Sequence, residues 1–208
     1  MSKTRRCAII ISILLLVVAV LLIAFRVYSV NSKVIKITTE HYQMGEWVDL
    51  GGTILSNRES ENPEGYSVRV NSVDVISYDD YIQKHGLNKE KAVANLDEKS
   101  VIDLELEIRN IGNDAGALPL MNMILIPARN NTYFIWNDKL WAENEPNSKD
   151  SIVLATRKDS EYVTHIPYTR NIFDDDFTAF KKPIDDKEFS LVLSNMPTRK
   201  VIDIKVLN

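Results

Sequence analysis

Residues 101–110 read VIDLELEIRN, in which Ile102, Leu104, Leu106 and Ile108 alternate strictly with Asp103, Glu105, Glu107 and Arg109. A period of two is the spacing of a β-strand, whose successive side chains point to opposite faces. The aliphatic set is therefore expected in a core and the charged set in water. The same logic returns at the end of the chain, where Ile202, Ile204 and Val206 oppose Asp203 and Lys205. At 189–193, Phe189, Leu191 and Leu193 share one parity, and the short connection Asn195-Met196-Pro197-Thr198 predicts that the two strands form a hairpin.

Between residues 66 and 78 the apolar phase slips, with Val68 and Val70 on one parity and Val73 and Val75 on the other. A one-residue slip exchanges the two faces of a strand, so a bulge or a change of sheet is expected near Asn71-Ser72. Further strands are expected at 46–50, 120–126, 132–136, 151–155 and 162–166. A two-turn helix is expected from Asp79-Asp80 to Lys84-His85-Gly86, with acids at the positive and bases at the negative end of its dipole. Phe173, Phe177 and Phe180 at helical spacing, followed by Lys181-Lys182-Pro183, predict another, and residues 88–96 a third. Many short strands with two or three inserted helices favour a mainly β fold, an antiparallel β-sandwich, over an alternating βαβ architecture.

Upstream of this body the composition changes. The 208-residue chain has 25 Lys and Arg against 29 Asp and Glu, a net charge of −4. Residues 1–30 hold Lys3, Arg5, Arg6 and Arg26 and no acid; setting those four bases aside leaves 21 against 29, so residues 31–208 carry −8. Residues 8–25, AIIISILLLVVAVLLIAF, would cover about 27 Å as a helix, close to the hydrocarbon thickness of a bilayer. A mean hydropathy of −0.15 thus averages a greasy, basic head with an acidic body. This segregation excludes a uniformly soluble protein and a multi-span membrane protein. An acidic body also excludes a generic nucleic-acid binder, which needs clustered bases.

The chain accordingly divides into a cytoplasmic basic tail (1–7), a transmembrane signal-anchor helix contacting membrane lipid (8–28), a short stalk or first strand (29–40) and an extracytoplasmic β-sandwich domain (41–208). The basic start favours a cytoplasmic N-terminus, although Arg26, Lys33 and Lys36 lie beyond the span. The apolar run exceeds the 7–15 residues usual in a cleaved signal, and Val27-Tyr28-Ser29 is a poor cleavage site. Cys7 is the only cysteine, so the body can form neither a disulfide nor a cysteine-based zinc or redox site.

Few residues suggest chemistry. Asp174-Asp175-Asp176 suits the first turn of a helix better than an oxygen cage, which needs six or more donors from defined positions. His41, His85 and His165 are the only histidines, and no nucleophile elbow, H-E-x-x-H pair or phosphate loop accompanies them. His85 reads as a helix end and His165 as a strand position. No catalytic, cofactor-binding or metal-ligating residue is therefore assigned, no cofactor is expected, and the protein is expected not to be an enzyme. Tyr133, Phe134, Trp136 and Trp141 cluster around one expected hairpin. Alternation places Tyr133 with Ile135 and Phe134 with Trp136, so one set is expected in the core. Core is the default for these aromatics; Tyr133, Trp136 and Trp141 are the candidates for partner binding, since Tyr and Trp dominate binding hot spots, and Trp141, flanked by Glu143, Asn144 and Glu145, is the best candidate for an exposed one. Asn130-Asn131-Thr132 fits the N-glycosylation pattern but reads as a polar turn.

One span followed by a strand ending in Asn110-Ile111-Gly112-Asn113, a charged turn at Arg157-Lys158-Asp159-Ser160 and a terminal hairpin resembles small membrane-anchored immunoglobulin-like proteins of Gram-positive bacteria, a family of uncharacterised domains of unknown function. The stretches 45–50, GEWVDL, and 66–70, YSVRV, resemble one subgroup of them. The resemblance implies an extracytoplasmic immunoglobulin-like fold on a single-pass anchor and supplies no catalytic residue. The expected role is a non-enzymatic interaction module for an unknown protein or cell-surface ligand. The alternatives are an accessory subunit of a membrane transporter or sensor complex, and a secreted hydrolase using one of the three histidines.

Overall fold

The computed structural model describes residues 3–32, 37–56, 61–88, 99–129, 133–145, 156–170 and 182–206. Expectations for residues 89–96, 130–132, 151–155 and 173–181, including the acidic triplet and the glycosylation pattern, lie outside them. The chain forms two compact units, Met1–Lys36 and Ile37–Asn208.

The first unit is one helix, α1 (Lys3–Asn31). Its stretch Ile13–Asn31 has a mean hydropathy of 2.7, is long and apolar enough to cross a membrane, and has none of its surface buried within the structure. Leu14, Leu16, Leu22 and Phe25 all stand exposed. A helix satisfies its backbone groups internally, so this apolar surface is compatible with lipid without any partner.

The second unit is built on nine strands: β1 (Thr38–Gln43), β2 (Val48–Asp49), β3 (Tyr66–Ser77), β4 (Ser100–Asn110), β5 (Leu125–Pro127), β6 (Phe134–Trp136), β7 (Ser160–Arg170), β8 (Glu188–Val192) and β9 (Thr198–Lys205). Two short helices, α2 (Tyr78–Lys84) and α3 (Asp138–Asn144), interrupt them. The strands run in the order β1-β9-β8-β5-β6-β7-β4-β3-β2. All ladders are antiparallel except β1 with β9, which pair in parallel from Thr38 opposite Thr198 to Gln43 opposite Asp203.

Strands β1 and β2 sit at opposite edges of this order yet are joined by residues 44–47 alone, so the two edges must come within reach of one short turn. Gly45 donates its N–H to Val70 O of β3 at 2.9 Å, and Ile54 donates to Met196 O in the β8–β9 turn at 2.7 Å. The sheet therefore curls until its halves face each other in a sandwich-like fold. Val68 and Val70 of β3, Leu104 and Leu106 of β4, Leu191 of β8 and Ile202 of β9 meet in one core.

Local structure follows the sequence closely at several points. The β3–β4 register passes from Val70 opposite Leu106 to Ser72 opposite Glu105 and skips Asn71, so the expected bulge is present and restores Val73 to the core side. The β8–β9 hairpin forms as expected. Residues 120–126 do not form one strand: Leu120–Asn122 is a 3-10 turn and only Leu125–Pro127 joins the sheet. Leu120, Met123 and Leu125 are all buried there, a spacing the turn accommodates.

Two of the four charged side chains on the outer face of β4 are withdrawn from water, covered by groups from the end of α2 and from β3 and β7. Asp103 is 2% exposed and Glu107 9%, and both are neutralised by neighbours rather than by solvent. Arg69 on β3 donates its Nε to Glu107 Oε2 at 3.0 Å, Asn71 Nδ2 adds a bond of 3.2 Å to the same oxygen, and Arg109 pairs with Glu161 of β7 at 2.7 Å.

Leu106, fully buried and facing Val70, tests the core. Leu106→Ala is expected to cost about 2–5 kcal/mol, read as a lower urea midpoint of the full chain in detergent micelles by tryptophan fluorescence.

Candidate functional site

The chain that leaves β3 turns immediately into α2. Ser77 caps it by accepting a hydrogen bond from Asp80 N at 3.1 Å, and Asp79 and Asp80 occupy the first turn. The helix ends after seven residues in a Schellman motif: Gly86 N–H donates to Gln83 O at 3.2 Å and Leu87 N–H to Ile82 O at 2.9 Å. Gly86 has φ +62°, the left-handed conformation that this closure needs and that side chains disfavour. Tyr81 and Ile82 pack with Val101, Leu140 and Leu87, which pins α2 onto the outer face of β3 and β4. The consequence is positional: Lys84 and His85, at the end of α2, are set over the middle of β4.

There they meet Asp103. Its side chain is fully withdrawn from solvent and has three partners. Oδ2 accepts from Lys84 Nζ at 2.7 Å and from His85 Nε2 at 2.9 Å, while Oδ1 accepts from His165 Nδ1 on β7 at 3.1 Å. Lys84 also bonds Asp74 Oδ2 at 2.7 Å, and His165 Nε2 lies 3.7 Å from Glu105 Oε2. The two imidazoles approach edge to face with centroids 4.9 Å apart, and Tyr81 stacks against His85 at 4.4 Å. Tyr81 is itself held by Asn144 of α3, whose Nδ2 donates to the phenol oxygen at 3.0 Å.

The electrostatics follow from these contacts. Burial alone would raise the pKa of Asp103, but the hydrogen bonds from His165, Lys84 and His85 outweigh it and hold the carboxyl at about 2. His165 is raised above its ordinary 6.5, chiefly by its bond to Asp103, with burial opposing. Burial would lower Lys84, yet its bonds to Asp103 and Asp74 leave it raised. The Tyr81 phenol is pushed upward by burial and then by the Asp103 charge, so it stays protonated. His85, Asp103 and His165 each offer one ligand atom, all within 4.8 Å of one another.

Of the three histidines, the structure thus brings two together and leaves the third apart. His41 is on β1, exposed, 2.9 Å from Asp203. His85 does cap a helix and His165 does lie in a strand, but their meeting on Asp103 was not legible from either position. The aromatic candidates fare differently. Phe134 and Trp136 are the core set, at 1% and 8% exposure, whereas Tyr133 is 41% exposed. Trp141 is 2% exposed and not a surface residue: it lies on the inner side of α3, its ring 5.0 Å from that of Trp136 and its Nε1 donating to Thr164 Oγ1 at 3.0 Å. Of the polar residues flanking it, Asn144 bonds buried Tyr81 and Glu145 accepts from Thr164 Oγ1 at 3.1 Å, so they too engage the domain. Trp47, half-buried, is covered by the guanidinium groups of Arg109 and Arg69, 4.0 and 4.5 Å from its ring.

A family described only as a domain of unknown function, DUF5028, matches residues 39–200. The chain belongs to that family. The matched segment begins inside β1 and ends inside β9, so the DUF5028 domain contains α2, β4, β7 and every residue of the Asp103 cluster, and it leaves α1 outside. No curated protein and no solved structure matches the chain.

Because Asp103 is depressed, its contribution to stability is complete above about pH 4 and is lost as pH falls toward 2. That of His165, which is raised, is complete below about pH 6.5 and is lost as pH climbs through its folded value. Chelator-treated protein is therefore expected to be most stable between these limits in a urea titration run at several pH values. Asp103→Asn should flatten both limbs and cost about 3 kcal/mol at the maximum.

Proposed function

We propose that the protein is a single-pass, membrane-anchored module whose DUF5028 domain stands outside the cytoplasm and works by binding rather than by catalysis. The observation that carries the reading is α1: its stretch Ile13–Asn31 is of spanning length and unburied, and it is attached to a domain with a core of its own. A basic tail before the span favours a cytoplasmic N-terminus, and a C-terminal domain of this size translocates largely regardless of charge. The net charge of −8 beyond the span opposes adsorption onto anionic lipid within the screening distance of about 8–10 Å.

The binding role draws on the edge of the sheet. Among the described residues strand β1 is paired on one side only, and its residues are exposed apart from half-buried Tyr42. Such an edge offers unpaired backbone N–H and C=O groups to an added strand, a mode in which main-chain bonds give affinity and side-chain pockets give selectivity.

Protease applied to intact cells carrying tags at both ends tests the topology. The C-terminal tag and the domain should be digested while the N-terminal tag survives until the membrane is permeabilised. A domain protected in intact cells and cleaved only afterwards would reverse the orientation.

A further inference from the structure

We propose that His85, Asp103 and His165 form a binding site for one divalent first-row transition-metal ion of the zinc class. Two imidazole nitrogens and one carboxylate oxygen are a donor set that such ions favour, and here the three ligand atoms already converge within 4.8 Å of one another. Bonds of about 2.0–2.1 Å to a tetrahedral ion would separate neighbouring ligands by roughly 3.4 Å, so the site requires side-chain adjustment and no change of fold.

Three further features fit an ion. The first is the carboxylate behind the imidazole. With Nδ1 of His165 turned toward Asp103, its Nε2 is 3.7 Å from Glu105 Oε2, the outer acid that commonly orients a metal-bound histidine. The second is charge. Asp74, Asp103 and Glu105 face the single cation Lys84 in this network, so with neutral imidazoles it lacks two positive charges, the charge of one divalent ion. The third is access: the Asp103 side chain is sealed and that of His85 nearly so, at 10% exposure, whereas His165 is 30% exposed. Solvent can therefore deliver the ion from the His165 side and complete its coordination there. Lys84 does not close the site. Asp103 has a second oxygen with which to keep it, and Asp74 holds it at the same 2.7 Å.

The site is independent of the membrane topology proposed above, and its test does not depend on that reading. Full-length protein in detergent, carrying no histidine tag and stripped with chelator, is titrated with zinc chloride by calorimetry and with cobalt chloride by visible absorption. One equivalent of zinc per chain is expected, with cobalt giving the intense ligand-field bands of a low-coordinate site. His85→Gln and His165→Gln should each weaken zinc binding roughly 100-fold, Glu105→Gln about 10–100-fold, and His41→Ala should leave it unchanged. Histidine ring resonances of the unaltered protein provide the readout that needs no variant: zinc should shift those of His85 and His165 and spare that of His41. Absence of stoichiometric binding, or ring shifts confined to His41, would overturn the proposal and leave a cluster that binds protons alone.

Discussion

A carboxylate held out of water in the middle of a sheet is tolerated only while its partners are in place. Breaking a buried ion pair by removing one side costs on the order of 3–5 kcal/mol. Asp103 imposes that condition on this domain. Its partners come from two directions, Lys84 and His85 from the end of α2 and His165 from β7, and Asp74 of β3 holds Lys84 in turn. The packing of Tyr81 and Ile82 on Val101 and the glycine closure at Gly86 acquire a common purpose in this light, since both determine where the last turn of α2 comes to rest. The outer face of β3, β4 and β7 is thus an ionic counterpart of the aliphatic core on the other side. Glu107 with Arg69 and Arg109 with Glu161 continue it along the strands.

The second organising constraint is topological. Placing β1 and β2 at opposite edges of a nine-stranded order while connecting them through residues 44–47 forces the sheet to bend back on itself. The hydrogen bonds from Gly45 to Val70 and from Ile54 to Met196 stitch the approaching edges, and Asn195 Nδ2 adds another to Leu55 O at 2.9 Å. A core is then enclosed without any disulfide, which the single cysteine, Cys7 in the N-terminal unit, could not have supplied.

These two constraints also mark the boundary of what the residues disclose by themselves. Alternation at Leu104 and Leu106 and the parity slip around Asn71 are local signals, and they located a strand and a bulge correctly because side-chain period is a local property. The same alternation misjudged Asp103 and Glu107 on the opposite face of β4, since whether they meet water depends on what the end of α2 and the side chains of the neighbouring strands lay over that face. Trp141 shows the complementary failure. Its polar neighbours suggested exposure, yet Asn144 and Glu145, three and four positions on, share its side of the helix and are themselves bonded to buried Tyr81 and Thr164, where the ring also turns inward onto Trp136. The histidine cluster joins positions 18 and 62 residues apart from Asp103, and only the fold supplies that proximity.

The parallel pairing of β1 with β9 has a mechanical meaning. β1 is the first strand after the N-terminal helix and β9 the last of the sheet, and their six register positions run side by side in one direction. Tension applied between the start of β1 and the end of β9 would pull the two strands lengthwise past each other. The backbone bonds of the pair would then share the load together, instead of opening one at a time as in a peeled hairpin. A load applied across those two ends would therefore meet this seam in its most resistant orientation.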